Sequence, residues 1–104
     1  MTGLFVTATS ILLAGGLVQP AADLRARVES APKDVERFIV RRVGCNHFLG
    51  EEPYDQERAA ELDRAIRDLR CAKLESNERT LRRVYRNQPA VLNLLDETAD
   101  LLGW

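Results

Sequence analysis

Residues 55–72 read DQERAAELDRAIRDLRCA, the most regular pattern in this chain of 104 residues. Their apolar residues recur at steps of three and four, the spacing that places side chains along one face of an α-helix. Asp55 precedes this run, and its side chain can accept a hydrogen bond from a free backbone N–H, so we expect it to be the N-cap. The stretch therefore predicts an amphipathic helix that packs its apolar face against other helices. The apolar positions are Ala59, Leu62, Ala65, Ile66, Leu69 and Ala72.

The apolar phase continues past this stretch with Leu74 and Leu81. A Ser-Asn pair at residues 76–77 is only a weak break. The sequence therefore leaves two possibilities open over residues 55–86: one long helix, or two helices joined by a kink.

Helical patterns also lie on both sides of this region. Before it, residues 23–30 are long enough for two turns, and Pro32 suits a first helical turn because its missing N–H is not needed there. The helix that starts at Pro32 is expected to end at Gly44 as a C-cap candidate. After a clear break at residues 87–89, apolar residues from 91 to 102 predict the last helix.

The fold class follows from the patterns after residue 22. Arg, Glu, Ala and Leu dominate there, and no segment alternates apolar and polar residues over the length of a strand. Short connections make consecutive helices antiparallel neighbours. We therefore predict a single all-α domain over residues 23–104, built as a small antiparallel bundle of three to four helices.

The beginning of the chain differs from the rest because all 15 Lys+Arg and 16 Asp+Glu lie at Asp23 or beyond. Residues 4–18 form an apolar run that suits the core of a signal peptide and is shorter than the roughly 20 residues of a membrane-spanning helix. We expect residues 1–22 to be a signal peptide, cleaved after Ala22 or after Gly16, and the protein to be periplasmic or secreted. The alternatives are a buried segment of the fold and a retained membrane anchor.

Cys45 and Cys71 are the two cysteines of the chain. An even number of cysteines in a small exported protein is typical of disulfide bonding, so we expect one bond between them. In a cytosolic protein they would instead be free, buried thiols. A zinc site is less favoured because the chain has no Cys-x-x-Cys pair and a single His. No cofactor is predicted.

The charge balance bears on the class of partner. A formal net charge of −1 argues against a dedicated nucleic-acid-binding protein, which would usually be strongly basic. A basic stripe could bind phosphate or an acidic partner, but Glu75 and Glu78 on the same stretch favour a balanced, solvated face. The stripe consists of Arg79, Arg82, Arg83 and Arg86.

Trp104 is either an exposed anchor or a cover over the last helix.

Residues 45–54 are predicted to form a loop, because Gly50 and Pro53 punctuate them and no periodicity survives. A metal site or an acid/base site here is an alternative, but a second His, a free thiolate and a nearby Ser or Thr nucleophile are missing. We therefore predict no enzymatic activity and, instead, contact with another macromolecule such as an envelope protein. The candidate partner-binding residues are His47, Glu51, Glu52, Tyr54 and Asp55.

The pattern Cys71-x-x-Leu74-x-x-x-Glu78-x-x-Leu81-x-x-x-Tyr85 is similar to the Cys…Leu…Asp/Glu…Leu…Tyr pattern of small exported lysozyme-inhibitor-like (LprI-type) proteins. The resemblance implies a disulfide-linked helical module of the bacterial envelope. It also raises the alternative that the protein inhibits a cell-wall hydrolase. Residues 45–55 resemble a segment of small secreted proteobacterial proteins of unassigned function. If the apolar beginning is retained, a membrane-tethered helical adaptor is a further alternative.

Overall fold

The computed structural model describes the backbone of residues 20–104 and the side chains from residue 22. The predicted all-α class is confirmed for this part of the chain, which contains five α-helices where three to four were expected. The predicted signal peptide, residues 1–22, lies almost wholly outside the described residues. The helices are α1 (Pro20–Glu29), α2 (Lys33–Leu49), α3 (Gln56–Asp68), α4 (Leu74–Val84) and α5 (Pro89–Glu97), with a 3-10 turn at Cys71–Lys73.

Helix α2 is longer than the sequence pattern predicts. Gly44 was expected to end it, but the helix runs to Leu49 and closes at Gly50, whose N–H donates to the Asn46 carbonyl at 3.1 Å. A Cβ atom at Gly44 would lie 3.2 Å from Cδ1 of Leu69. The glycine therefore lets α2 and the end of α3 approach closely, and the prediction of a loop beginning at residue 45 is wrong for residues 45–49.

The region over residues 55–86 divides into two helices, but the break lies at Arg70 instead of at residues 76–77. Arg70 has a φ of 54°, a left-handed conformation that ends α3 and starts the 3-10 turn. Asp55 caps α3 as predicted, since its Oδ1 accepts from the Arg58 N–H at 2.8 Å. The predicted last helix also stops early, at Glu97.

The hydrophobic core lies where α1, α4 and α5 pack around α2. Burying an aliphatic or aromatic side chain stabilises a fold by roughly 1.5–3 kcal/mol, so this cluster is the main source of stability. Helix α3 lies against α2 outside this cluster and buries Leu62. The buried cluster consists of Val28, Val35, Phe38, Ile39, Val43, Leu81, Val91, Leu94 and Leu95.

A charged side chain is buried beside this core. Arg42 on α2 is only 5% exposed, and its Nη2 donates to the Leu95 carbonyl at 2.6 Å and to Thr98 Oγ1 at 2.8 Å. Its Nη1 donates to the Glu78 carboxylate on α4 at 2.9 Å. Burial lowers the pKa of Arg42, and the Glu78 carboxylate opposes that shift. Arg42 thus joins three helices and provides a donor for a carbonyl in the last turn of α5, which has no partner within its own helix.

The predicted disulfide between Cys45 and Cys71 is present, with the two Cα atoms 5.7 Å apart. Cys45 lies inside α2, where it was expected just after the helix, and Cys71 lies in the 3-10 turn, where it was expected inside the next helix. The bond therefore fixes both ends of the segment that contains α3. Among the described helices, none is both long and apolar enough to cross a membrane.

Candidate functional site

His47 lies in the last turn of α2 and is exposed. The sequence pattern placed it in a loop, so its predicted position needs correction. Its ring centroid is 5.1 Å from that of Phe48, with the two planes at 77°, an edge-to-face arrangement. The imidazole is thus carried by a regular helix and stays accessible to a partner.

Glu51, which follows the end of α2, is held by Arg58 on α3. The guanidinium donates to the carboxylate twice, from Nε at 2.6 Å and from Nη2 at 2.7 Å, and both side chains are only about one quarter exposed. This paired geometry is the strong form of an arginine–carboxylate contact. The hydrogen bond from Arg58 lowers the pKa of Glu51. Glu51 therefore connects the two helices and is already occupied within the fold.

Asp55 is also committed within the chain. Its backbone is extended, with φ −157° and ψ 178°, and its carboxylate accepts from the first turn of α3. Such a cap satisfies one of the N–H groups that a helix start leaves unpaired. Two of the five predicted contact residues, Glu51 and Asp55, thus fix the connection between α2 and α3.

The remaining predicted contact residues are exposed on this fixed connection. Tyr54 is 82% exposed, and Glu52 beside it is also exposed. Leu49 at the end of α2 is 60% exposed, although it was not among the predicted contact residues. We call the exposed residues in the last turn of α2 and in the segment after it the connection face, and they are His47, Leu49, Glu52 and Tyr54.

The connection face combines an aromatic ring, an aliphatic side chain, a carboxylate and an imidazole. Within residues 20–104, no three His, Cys, Asp or Glu side chains gather in a group that could hold a metal ion. An exposed, firmly held surface of this composition is suited to contact with another molecule.

The basic stripe, which lies on α4 except for Arg86 in the turn after it, is partly neutralised. Arg82 donates to Glu78 at 2.9 Å and, across to α5, to Asp96 at 2.6 Å. The hydrogen bond that Arg82 donates to the Asp96 carboxylate is the main cause that raises the pKa of Arg82. Arg79 approaches Glu75 at 3.5 Å. The expected balance by Glu75 and Glu78 is therefore found at these two arginines, and the contribution of Asp96 comes from tertiary packing.

Trp104 lies against the first helix. The Cζ atom of Arg25 is 5.9 Å from the centroid of the indole ring, within the range of a cation–π contact. Beside it, the C-terminal segment is held to α2 by Asn46, whose Nδ2 donates to the carbonyls of Ala99 and Leu101 at 2.9 and 3.0 Å. The end of the chain is thus attached to the helices.

Comparisons with protein-family models, with curated proteins and with solved structures find no significant match for this chain. The resemblance to lysozyme-inhibitor-like proteins therefore stays a prediction.

Proposed function

We propose that the protein is a small exported binding module, without enzymatic activity, that contacts another macromolecule of the bacterial envelope through the connection face. The observation that carries this proposal is the 82% exposure of Tyr54 on a segment that the Glu51–Arg58 pair and the Asp55 cap hold at both ends. The Cys45–Cys71 disulfide supports an oxidising compartment, the periplasm or the exterior.

The fixed backbone favours binding because little conformational freedom remains to be lost. Ordering a loop or a long side chain on association costs about 0.5–1.5 kcal/mol per immobilised side chain, and a segment that is already ordered avoids part of that cost. Tyrosine is also enriched among the residues that dominate binding energy at interfaces. Tyr54 is therefore the residue whose loss should weaken binding most.

The composition of the connection face indicates what the partner offers. Leu49 and Tyr54 favour an apolar groove, and the Glu52 carboxylate favours an Arg or Lys at the edge of that groove. His47 adds a side chain that can donate and accept hydrogen bonds.

Quantitative capture from envelope extracts tests this face. We expect the wild-type chain to recover a partner that the Leu49→Ser/Tyr54→Ser variant does not recover. Val84→Ser is the matched control, because Val84 is 63% exposed on a different helix. Recovery of the same proteins by all three chains would contradict the assignment of the connection face.

Export needs a separate test because it concerns residues outside the described part. A fusion of residues 1–30 to a reporter that works only outside the cytoplasm should be active. Mass spectrometry of the mature protein, with and without reduction, should show cleavage after Ala22 or Gly16 and one disulfide. A full-length chain with two free thiols in the cytosol would overturn the proposal. An uncleaved chain in the membrane fraction would favour the membrane-tethered adaptor instead.

Inhibition of a cell-wall hydrolase is the second candidate function. The observation that favours it is the same rigid, exposed segment, since preorganised segments are typical of inhibitors that bind enzymes without rearrangement. A lysozyme assay with purified protein in excess tests it. Inhibition that Tyr54→Ser weakens would support this function, and unchanged lysozyme activity would remove it.

A further inference from the structure

A second surface of the molecule is a basic cleft, far along α3 from the connection face. It has a volume of about 680 Å³ and lies between α2, the end of α3, the 3-10 turn and the start of α4. This volume falls in the range of small-molecule sites. Within the described part of the chain, no Asp or Glu lines it. Its four cationic residues are Arg41, Arg67, Arg70 and Lys73.

The cations of this cleft are poorly neutralised. Arg67 lies 3.8 Å from Asp63, and both side chains are more than two thirds exposed. An ion pair this exposed is weak and leaves the charge of Arg67 largely available. Arg70 and Lys73 form no side-chain hydrogen bond or ion pair with any other described residue. Like charges that share one concave wall raise the local positive potential, which attracts anions.

Part of the cleft wall is preorganised. Arg41 Nη2 donates to Asn77 Oδ1, and the Arg41 guanidinium lies 5.8 Å from the centroid of Phe38. Its Nε–H is buried and has no partner among the described residues. Cys71 also lines the cleft, and its disulfide holds this wall against α2.

Arg70 has a backbone conformation that is unfavourable for arginine. With φ at 54° it adopts the left-handed conformation, which is strained for a residue other than glycine. Glycine would fit this turn without strain. A charged side chain thus lines the cleft from a backbone conformation that would favour glycine.

We propose that this cleft binds a ligand carrying phosphoryl groups, with Arg67, Arg70 and Lys73 around the oxyanions and Arg41 at the inner wall. Arginine presents donors in a fixed fork that matches phosphate oxygens, and several cations match the charge of nearly two that a phosphoryl group carries. The ligand is either a free phosphate ester or the headgroup of an anionic phospholipid, which share this chemistry.

Titration of the full, oxidised chain with inorganic pyrophosphate at low ionic strength tests the site. We expect saturable binding, weakened about tenfold or more by Arg70→Gly/Lys73→Gln. The matched control is Arg83→Gln/Arg86→Gln, which removes the same charge outside the cleft, from the end of α4 and the turn after it, and should change binding by less than about twofold. Arg70→Gly should not lower the melting temperature, because glycine relieves the left-handed strain, so lost binding is not lost folding.

Vesicles distinguish the two sources of the ligand. Binding to phosphatidylglycerol vesicles but not to phosphatidylcholine vesicles, lost with Arg70→Gly/Lys73→Gln, would assign the site to a lipid headgroup. Binding of pyrophosphate alone, with the same loss, would assign it to a free phosphate ester. Absence of binding to both, or equal weakening by the two variant pairs, would overturn the proposal.

Discussion

The Nη1 atom of Arg42 lies 2.9 Å from Oε1 of Glu78, although the two residues are 36 positions apart in the chain. The other oxygen of Glu78 accepts from Arg82 at 2.9 Å, and Arg82 reaches Asp96 at 2.6 Å. Alternating charges therefore run from α2 through α4 to α5. The inner end of this network is buried and the outer end is exposed, so its members should contribute unequally to stability.

Replacement of Arg42 by Ala should destabilise the fold by about 3 kcal/mol or more. The change removes the closer of the two donors to the Leu95 carbonyl, takes a partner from Glu78 and removes the guanidinium that packs on Phe38. Urea denaturation would measure the loss in free energy of unfolding. Arg37→Ala, at an exposed position on the same helix, is the control and should change stability by less than about 0.5 kcal/mol. Equal effects of the two substitutions would refute the structural role of Arg42.

Removal of the disulfide should also be strongly destabilising. The bond joins cysteines 26 residues apart, for which the chain-entropy model gives about 3.5 kcal/mol. The Cys45→Ala/Cys71→Ala variant should therefore melt well below the oxidised wild type and close to the wild type under reducing conditions. A melting temperature unaffected by reduction would show that tertiary packing alone holds the 3-10 turn against α2.

Substitutions at Gly44 should report the close approach of α2 and α3. Gly44→Ala gains helix propensity of about 1 kcal/mol, but its Cβ would lie 3.2 Å from the flexible end of Leu69, so the net change should be small. Gly44→Val should cost about 1–3 kcal/mol because a larger side chain forces the helices apart. Thermal melts of both variants test this. A Gly44→Val protein as stable as the wild type would contradict the tight crossing.

Acidification should weaken two ion pairs whose carboxylates have lowered pKa values. Arg58 lowers the pKa of Glu51 and Arg27 lowers that of Glu97, from an ordinary value of 4.5. Below this value the unfolded chain takes up protons that the folded chain resists, so the stabilisation, complete above pH 4.5, is lost as pH falls below it. Denaturation midpoints at decreasing pH would measure the loss.

The matched pair for this acid profile is Glu51→Gln and Glu52→Gln. Glu51→Gln should flatten the acid dependence, because the bidentate contact with Arg58 is then absent at every pH. Glu52 forms no ion pair with another described residue, so Glu52→Gln should keep the wild-type profile. Identical profiles for the two variants would count against the Glu51–Arg58 clamp.

Local chemistry made part of the fold predictable. Asp55 was identified as a cap because its contact spans only three residues, and helix periodicity located α3. Gly44 was misread because a glycine that ends a helix and a glycine that admits a neighbouring helix look alike in one sequence. The sequence did not indicate a helix break at Arg70, since arginine favours helices and tertiary packing imposes the left-handed conformation of this residue.

The candidate site was predictable to a similar extent. The sequence located Tyr54 and Glu52 in an irregular segment, and the structure shows both exposed. Glu51 is paired with Arg58 and so is not free to contact a partner. This pairing depends on how α3 turns back toward α2, which composition does not encode. The basic cleft was missed entirely, because Arg41 and Arg70 come together only through the folding of α2 against the 3-10 turn.

The Cys45–Cys71 bond has a consequence for proteolysis. Hydrolysis of one peptide bond anywhere between these cysteines, including the exposed stretch around Tyr54, would add a water molecule but leave a single covalent species. A protease could therefore cut the connection face while the two fragments migrate together until a reductant separates them. In an oxidising environment, a nicked molecule would persist at full size and with its core helices in place.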